Sequence, residues 1–249
     1  MKLYILTWCQ NEDSFYGNSL IFKTLRVGFP NAEITICDNQ SIESASFELE
    51  KLSRVNDCKF VRLKSEVQHY YFLERVTYDA SLVDDEIVFV DPDIVFWGNC
   101  EEWEFKGLMA GRLIPKFYDE FSGCITHPRL HTSFLWIPSP KRVFDVVQSL
   151  GKFEYSPFKP FMLPLDDSWH RYDTTSSFYS VFKDYVDTFN EDELNRYDHL
   201  FCGTHLDLVK DKLTDGEDLS KLHEEAKRDI NTMKGIWIDQ EKHFEQRSV

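Results

Sequence analysis

Two aspartates stand two residues apart inside the most apolar stretch of the chain. Asp91 and Asp93 divide the segment DDEIVFVDPDIVFWGN (residues 84–99) into two apolar runs. Burying unpaired carboxylates in such a run is costly, and a divalent cation would compensate them while leaving positions for phosphate oxygens. Pro92 cannot donate a backbone hydrogen bond, which predicts that the pair lies at a strand end or edge. The alternative is a polar turn between two strands.

Short apolar strands and amphipathic helices alternate before this pair. Strands are predicted over 2–8, 32–39, 59–64 and 86–90, and helices over 14–27, 42–55 and 66–80. This alternation predicts crossover connections and an α/β fold, with a Rossmann-like, mostly parallel sheet flanked by helices. Ligands bind such sheets beyond the carboxyl ends of the strands. No glycine-rich phosphate loop follows the first strand, which argues against a dinucleotide dehydrogenase or a P-loop NTPase.

The composition of the chain disfavours several classes of protein. The chain has 249 residues and a net charge of −15, which disfavours a broad nucleic-acid-binding face. No apolar run has the length of a membrane span. The six cysteines form no Cys-x-x-Cys pair, so we expect reduced thiols, no zinc site and a cytoplasmic protein.

The segment DEIVFVDPDIVF resembles the Asp-x-Asp segment of the GT-A glycosyltransferases. Three further segments resemble the family in chain order. FPNAEITICDNQS (29–41) is similar to part of the nucleoside-binding half, HTSFLWIP (131–138) to the acceptor-side support, and HLFCGTH (199–205) to the late histidine loop of the metal site. The resemblance covers roughly residues 1–210. It implies a metal-dependent transfer of a hexose or pentose from a nucleotide sugar, with a UDP-sugar favoured, to a hydroxyl of a carbohydrate or other acceptor.

The resemblance also implies roles for individual residues. Asp91 and Asp93 would hold Mn²⁺ or Mg²⁺ against the donor diphosphate, with His205 preferred over His199 as the third ligand. Donor contacts would come from Thr7, Trp8, Asp38 and Arg75. For Asp38 the alternative is a turn-forming residue, and for Arg75 it is a solvated position on a helix face.

The acceptor half is less clearly marked. A proline-punctuated, aromatic loop is expected over 155–178 and should determine acceptor choice. Its candidates for a catalytic base or stabilising carboxylate are Asp166, Asp167 and Asp173, and Asp173 could instead cap a helix. His131 is expected to contact the acceptor.

These elements predict one domain and a tail. The GT-A-like domain would span 1–212, with a nucleotide-sugar half over 1–98 and an acceptor half over 99–212. A charged, mostly helical tail over 213–249 would pack on it.

Two other functions remain open. A related nucleotidyltransferase is disfavoured by the missing glycine-rich basic loop, and a non-catalytic binding domain would use the acidic pair only structurally. The reaction's stereochemistry and the oligomeric state stay open.

Overall fold

The computed structural model describes residues 1–19, 21–119, 123–150, 158–166 and 168–199. The first half alternates strands and helices in the predicted order. Its elements are β1 (Lys2–Thr7), α1 (Glu12–Ser19), α2 (Ile21–Gly28), β2 (Glu33–Asp38), α3 (Glu43–Val55), β3 (Lys59–Arg62), α4 (His69–Ser81) and β4 (Ile87–Val90). The helix predicted over 14–27 falls on α1 and α2, which lie on either side of residue 20, and that residue is outside the described ranges.

The second half is richer in strands. Its elements are β5 (Ile94–Phe96), β6 (Ala110–Ile114), β7 (Phe117–Asp119), β8 (Cys124–Thr126), β9 (Arg129–Ile137), α5 (Pro140–Leu150), β10 (Phe161–Leu165), β11 (Ser168–Tyr172), α6 (Ser176–Phe182), β12 (Asp187–Thr188), α7 (Glu191–Leu194) and β13 (Tyr197–His199). A 3-10 turn over Lys183–Tyr185 follows α6. No helix in the described ranges is both long and apolar enough to cross a bilayer.

The main sheet has seven strands in the order β12-β6-β9-β4-β1-β2-β3. Only β9 runs antiparallel to its neighbours β4 and β6, and the other neighbouring pairs are parallel. The predicted α/β class with a mostly parallel sheet is confirmed. β1, β2 and β4 therefore end at one edge of the sheet, which brings the residues following them to the same side of the molecule.

Both faces of the sheet are covered by apolar packing. In β4, Val88 and Val90 join the cluster that α2 and α3 contribute to, while Ile87 and Phe89 join the cluster on the opposite face, with α4 and α5. All four β4 residues are buried, which explains why this strand is a continuous apolar run rather than an alternating one. The packing fixes the position at which β4 ends and Asp91 begins.

A second sheet has four strands in the order β10-β11-β8-β7. The loop predicted over 155–178 is therefore a hairpin in its described central part, with Leu165 paired to Ser168. Pro164 is accommodated because β10 is an edge strand. Asp167, His205 and the predicted tail lie outside the described residues.

Candidate active site

The turn after β4 carries the aspartate pair at the carboxyl edge of the main sheet. The Asp91 amide donates to the Ser133 carbonyl at 2.7 Å, which ties this turn to β9. The Ile94 amide donates to the Asp91 carbonyl at 3.3 Å, closing a tight turn that contains Pro92 and Asp93. Asp93 is only 5% exposed. The pair thus lies at a strand end, as Pro92 predicts.

His199 reaches the same place through a short antiparallel ladder. β13 pairs with β5, and His199 is opposite Ile94, the residue that follows Asp93. As a result, His199 Nε2 lies 3.2 Å from Asp93 Oδ1. One ligand atom from each of Asp91, Asp93 and His199 lies within 4.8 Å of the other two.

The chemistry of this donor set fits a hard or borderline divalent cation. Carboxylate oxygens suit Mg²⁺ and Mn²⁺, and one imidazole beside them is compatible with Mn²⁺. The side chains of Asp93 and His199 are 7% and 9% exposed, whereas that of Asp91 is 30% exposed. Because Asp91 is the most exposed of the three side chains, a cation held here would be accessible from the Asp91 side. A phosphate-bearing ligand could approach it there.

Asp91 and His199 of the cluster both have raised pKa values. Burial raises the pKa of Asp91, the nearby Asp93 charge adds to this rise, and His69 opposes it. Burial alone would lower the pKa of His199, but its hydrogen bond to Asp93 and the charges of Asp93 and Asp91 raise it overall. A cation bound here would oppose both shifts by favouring the deprotonated groups, so metal binding should become weaker as the pH falls.

We expect the metal-free protein to lose stability as the pH rises from the unfolded pKa of His199, about 6.5, through its higher folded pKa. The folded-state pKa of His199 is raised, so its imidazolium contributes stability below its unfolded pKa. That contribution disappears as the pH passes through the folded pKa. Thermal unfolding in EDTA measures the effect, and His199→Gln should flatten the profile. An unchanged slope in that variant would contradict the assignment.

Two further histidines lie beside the cluster. The His131 ring centroid is 5.1 Å from that of His199, and burial, with the charges of His199, Arg129 and Arg112, lowers the pKa of His131 to about 4. A neutral His131 can accept or donate one hydrogen bond at neutral pH. His69 Nε2 is 3.8 Å from Asp91 Oδ1. Sequence reasoning missed His69, although the first residue of a helix after a parallel strand lies at the carboxyl edge of the sheet.

The predicted donor residues lie at the ends of β1 and β2. Thr7 is fully buried, and its hydroxyl donates to the Cys37 carbonyl at 3.4 Å. The Trp8 Nε1 donor is buried and has no acceptor among the described residues. Asp38 is fully buried and accepts hydrogen bonds from the Ser41 amide at 3.1 Å and the Ser46 hydroxyl at 2.7 Å. Asp38 therefore has the turn-forming contacts of its alternative interpretation, and its donor role stays a prediction.

Arg75 has the contacts of an exposed helical residue. It forms an ion pair with Asp79 one turn further along α4 at 3.1 Å and lies over the Tyr78 ring at 5.7 Å from its centroid. Its guanidinium side chain is 61% exposed. These contacts match the solvated alternative, and a role with the donor stays a prediction.

The acidic candidates of the acceptor half occupy different positions. Asp166 adopts a φ of 49° in the turn of the β10–β11 hairpin. Asp173 follows β11 and forms ion pairs with Arg129 at 3.3 Å and Arg171 at 3.6 Å. It does not cap α6, because the cap position is Thr175. Asp173 is thereby connected to β9, the strand that carries His131, and its catalytic role stays a prediction.

Comparison with known proteins found similarity to solved structures alone. No family model and no curated protein matches the chain. Solved structures that match are GT-A-type glycosyltransferases, the family that the Asp-x-Asp segment resembles. The glycosyltransferase GlyE of Streptococcus pneumoniae TIGR4 has 11% identity over 76% of this chain and 46% of its own, with a TM-score of 0.45. The chain thus spans less than half of that protein.

Two other matches cover more of the known structure. The galactosyltransferase LgtC, solved with donor and acceptor sugar analogues, has 12% identity over 76% of this chain and 73% of its own, with a TM-score of 0.40. The mannosyltransferase PcManGT from Pyrobaculum calidifontis, solved with GDP-Man and Mn²⁺, has 14% identity over 90% of this chain and 69% of its own, with a TM-score of 0.39.

Proposed function

We propose that this protein is a metal-dependent glycosyltransferase that moves a sugar from a nucleotide-diphosphate sugar to an acceptor hydroxyl. The observation that carries the proposal is the convergence of Asp91, Asp93 and His199 within 4.8 Å at the carboxyl edge of the main sheet. A cluster of two carboxylates and an imidazole that is partly open at Asp91 is the arrangement expected of a cation that contacts a substrate. The proposed donor is a UDP-sugar.

The ion would be Mn²⁺ or Mg²⁺, held by Asp91, Asp93 and His199. Such an ion supplies Lewis-acid stabilisation of the charge that develops on a leaving diphosphate. The chain's own residues orient the two substrates around this point. Trp8 offers its buried indole N–H at the end of β1, where the nucleoside is proposed to bind. His131 stays neutral and can hydrogen-bond an acceptor hydroxyl without adding charge.

The donor and the acceptor are proposed to bind to two successive halves of the domain. Residues 1–98 would hold the donor and residues 99–212 the acceptor, with Asp173 as the described candidate for a base or stabilising carboxylate. We also propose a cytoplasmic location, since Cys37, Cys58 and Cys100 are free thiols in the part of the chain that the structure describes.

Donor hydrolysis and transfer test the proposal directly. The protein is incubated with Mn²⁺ and separate UDP-, GDP- and CMP-sugars, including GDP-mannose, and nucleotide release is measured with and without EDTA. A transferase should release nucleotide from one base class and lose this activity with EDTA. Release of pyrophosphate from a nucleoside triphosphate and a sugar phosphate would indicate the nucleotidyltransferase instead.

Trp169 is expected to contribute to acceptor binding. Its side chain lies in β11 and is 53% exposed, so an aromatic face is available to stack on a sugar. Trp169→Ala should raise the acceptor KM or lower transfer by about tenfold, with donor hydrolysis nearly unchanged. Val181→Ala, at an exposed position on α6, is the matched control. Equal acceptor kinetics in wild type and Trp169→Ala would refute this role.

A further inference from the structure

Two guanidinium groups share a single carboxylate next to the proposed acceptor site. Arg129 Nη2 lies 3.3 Å from Asp173 Oδ2, and Arg171 Nη2 lies 3.6 Å from the same oxygen. Arg129 begins β9, two residues before His131, and Arg171 lies in β11. One negative charge therefore faces two positive charges.

Of the two guanidinium groups, that of Arg129 is the more buried, and one of its nitrogens lacks an acceptor among the described residues. Its side chain is only 15% exposed, and its Nη1 atom is buried without an acceptor among the described residues. A buried cation is costly unless its donors are paired, and Asp173 satisfies only part of this guanidinium. Thr126 pairs with Arg171 across the β8–β11 ladder, and its hydroxyl is also buried without a partner among the described residues. The region thus has two buried groups that could each donate a hydrogen bond to an anion.

A third cation faces the same region. Arg112 is exposed and lies in β6, where the register with β9 shifts between Gly111 and Leu113. It lies two residues before Ile114, which pairs with Arg129 of β9, and its positive charge disfavours protonation of both His131 and His199, lowering the pKa of each. Of these three guanidiniums, Asp173 pairs with two, in a chain whose net charge is −15. The local excess of positive charge opposes the charge of the whole protein.

We propose that the acceptor is an anionic molecule, whose phosphate or carboxylate group is bound by Arg129, Arg171 and Arg112 while its hydroxyl lies beside the metal cluster. This inference rests on the proposed function. Guanidinium groups bind both oxyanions through paired N–H donors. The donor diphosphate is a second possible source of the anion, but its proposed position is at Asp91 and Asp93. The arginines belong to strands of the acceptor half.

Binding without turnover tests the arginine cluster alone. Calorimetry in EDTA compares glucose 6-phosphate, glucuronate and neutral glucose with wild type, Arg171→Gln and Arg112→Gln. The anionic sugars should bind wild type at least about tenfold more tightly than glucose does, and either substitution should remove most of this difference. Arg54→Gln, which removes an exposed arginine paired with Glu50 on α3, is the control for net charge. Equal affinities for anionic and neutral sugars would overturn the inference.

Enzyme kinetics then distinguish between an anionic acceptor and the donor diphosphate as the group that the arginines bind. Arg171→Gln should lower kcat/KM for an anionic acceptor by about tenfold more than it lowers kcat/KM for a neutral acceptor, with the donor KM unchanged. An equal rise in the donor KM would assign the arginines to the donor diphosphate and overturn the inference. Failure of wild type to hydrolyse any nucleotide sugar, with arginine-dependent binding of the anionic sugars intact, would contradict the proposed function but not the anion site. Thermal unfolding of each variant checks that Arg171 and Arg112 are not needed for folding.

Discussion

Replacement of Asp91 or Asp93 by asparagine is expected to lower donor turnover by about 100-fold or more. Each substitution removes one anionic ligand from a set of three, and the remaining pair holds a divalent cation and its diphosphate far more weakly. The measurement is nucleotide release at limiting Mn²⁺, where differences in metal affinity affect the rate. Asp145→Asn, on the exposed face of α5, should behave as wild type.

The fold should survive these substitutions. In the metal-free protein, burial and the Asp93 charge already penalise ionised Asp91. Asp91→Asn removes that penalty, so the melting temperature in EDTA should stay the same or rise. The increase that Mn²⁺ produces in wild type should be lost. Wild-type turnover in either variant at limiting Mn²⁺ would show that the residue is not a ligand.

Replacement of Gly28 by alanine is expected to cause the largest loss of stability. A Cβ atom at Gly28 would lie 2.4 Å from Phe96 Cγ, and Phe96 is fully buried against Phe29 and Phe134. The ring has no open space to move into, so overpacking should cost about 1–3 kcal/mol. For a domain of this size the melting temperature should fall by about 2–10 °C. Alanine's better helix propensity, up to about 1 kcal/mol, offsets only part of this cost.

The same substitution should affect the candidate metal site. Phe96 belongs to β5, the strand that begins just after Asp93 and pairs with the strand carrying His199. A shift of Phe96 would therefore disturb the register between Asp93 and His199. Gly98→Ala is a close control, because its Cβ would lie 3.5 Å from the flexible Arg196 side chain. Similar melting temperatures for the two variants would contradict the packing argument.

The sequence predicted the position of the candidate site best where a buried strand also contains the residue that marks its end. The apolar run of β4 is buried on both faces, and Pro92 marks its end, so the position of Asp91 and Asp93 could be predicted. The alternation of strands and helices predicted the parallel part of the sheet in the same way. Both predictions depend only on residues that are close together in the sequence.

Contacts distant in sequence were harder to predict. His199 is opposite Ile94 through a three-residue strand too short to have a pattern of its own, and this pairing could not be read from spacing. The sequence predicts a loop at the β10–β11 hairpin because Pro164 breaks its alternation, although an edge strand accommodates that proline. The ion pairs of Arg129 and Arg171 with Asp173 likewise depend on packing between two sheets.

The environment of bound Mn²⁺ tests the central claim most directly, namely that Asp91, Asp93 and His199 bind one divalent cation. Electron paramagnetic resonance counts the bound ions, and spin-echo modulation detects an imidazole nitrogen on the metal. We predict one Mn²⁺ per chain with one coordinated imidazole, lost in His199→Gln and retained in His131→Gln; its loss in His205→Gln instead would favour the third ligand that the sequence predicts. Retention of the nitrogen signal in His199→Gln, or Mn²⁺ affinity unchanged in Asp93→Asn, would contradict the account.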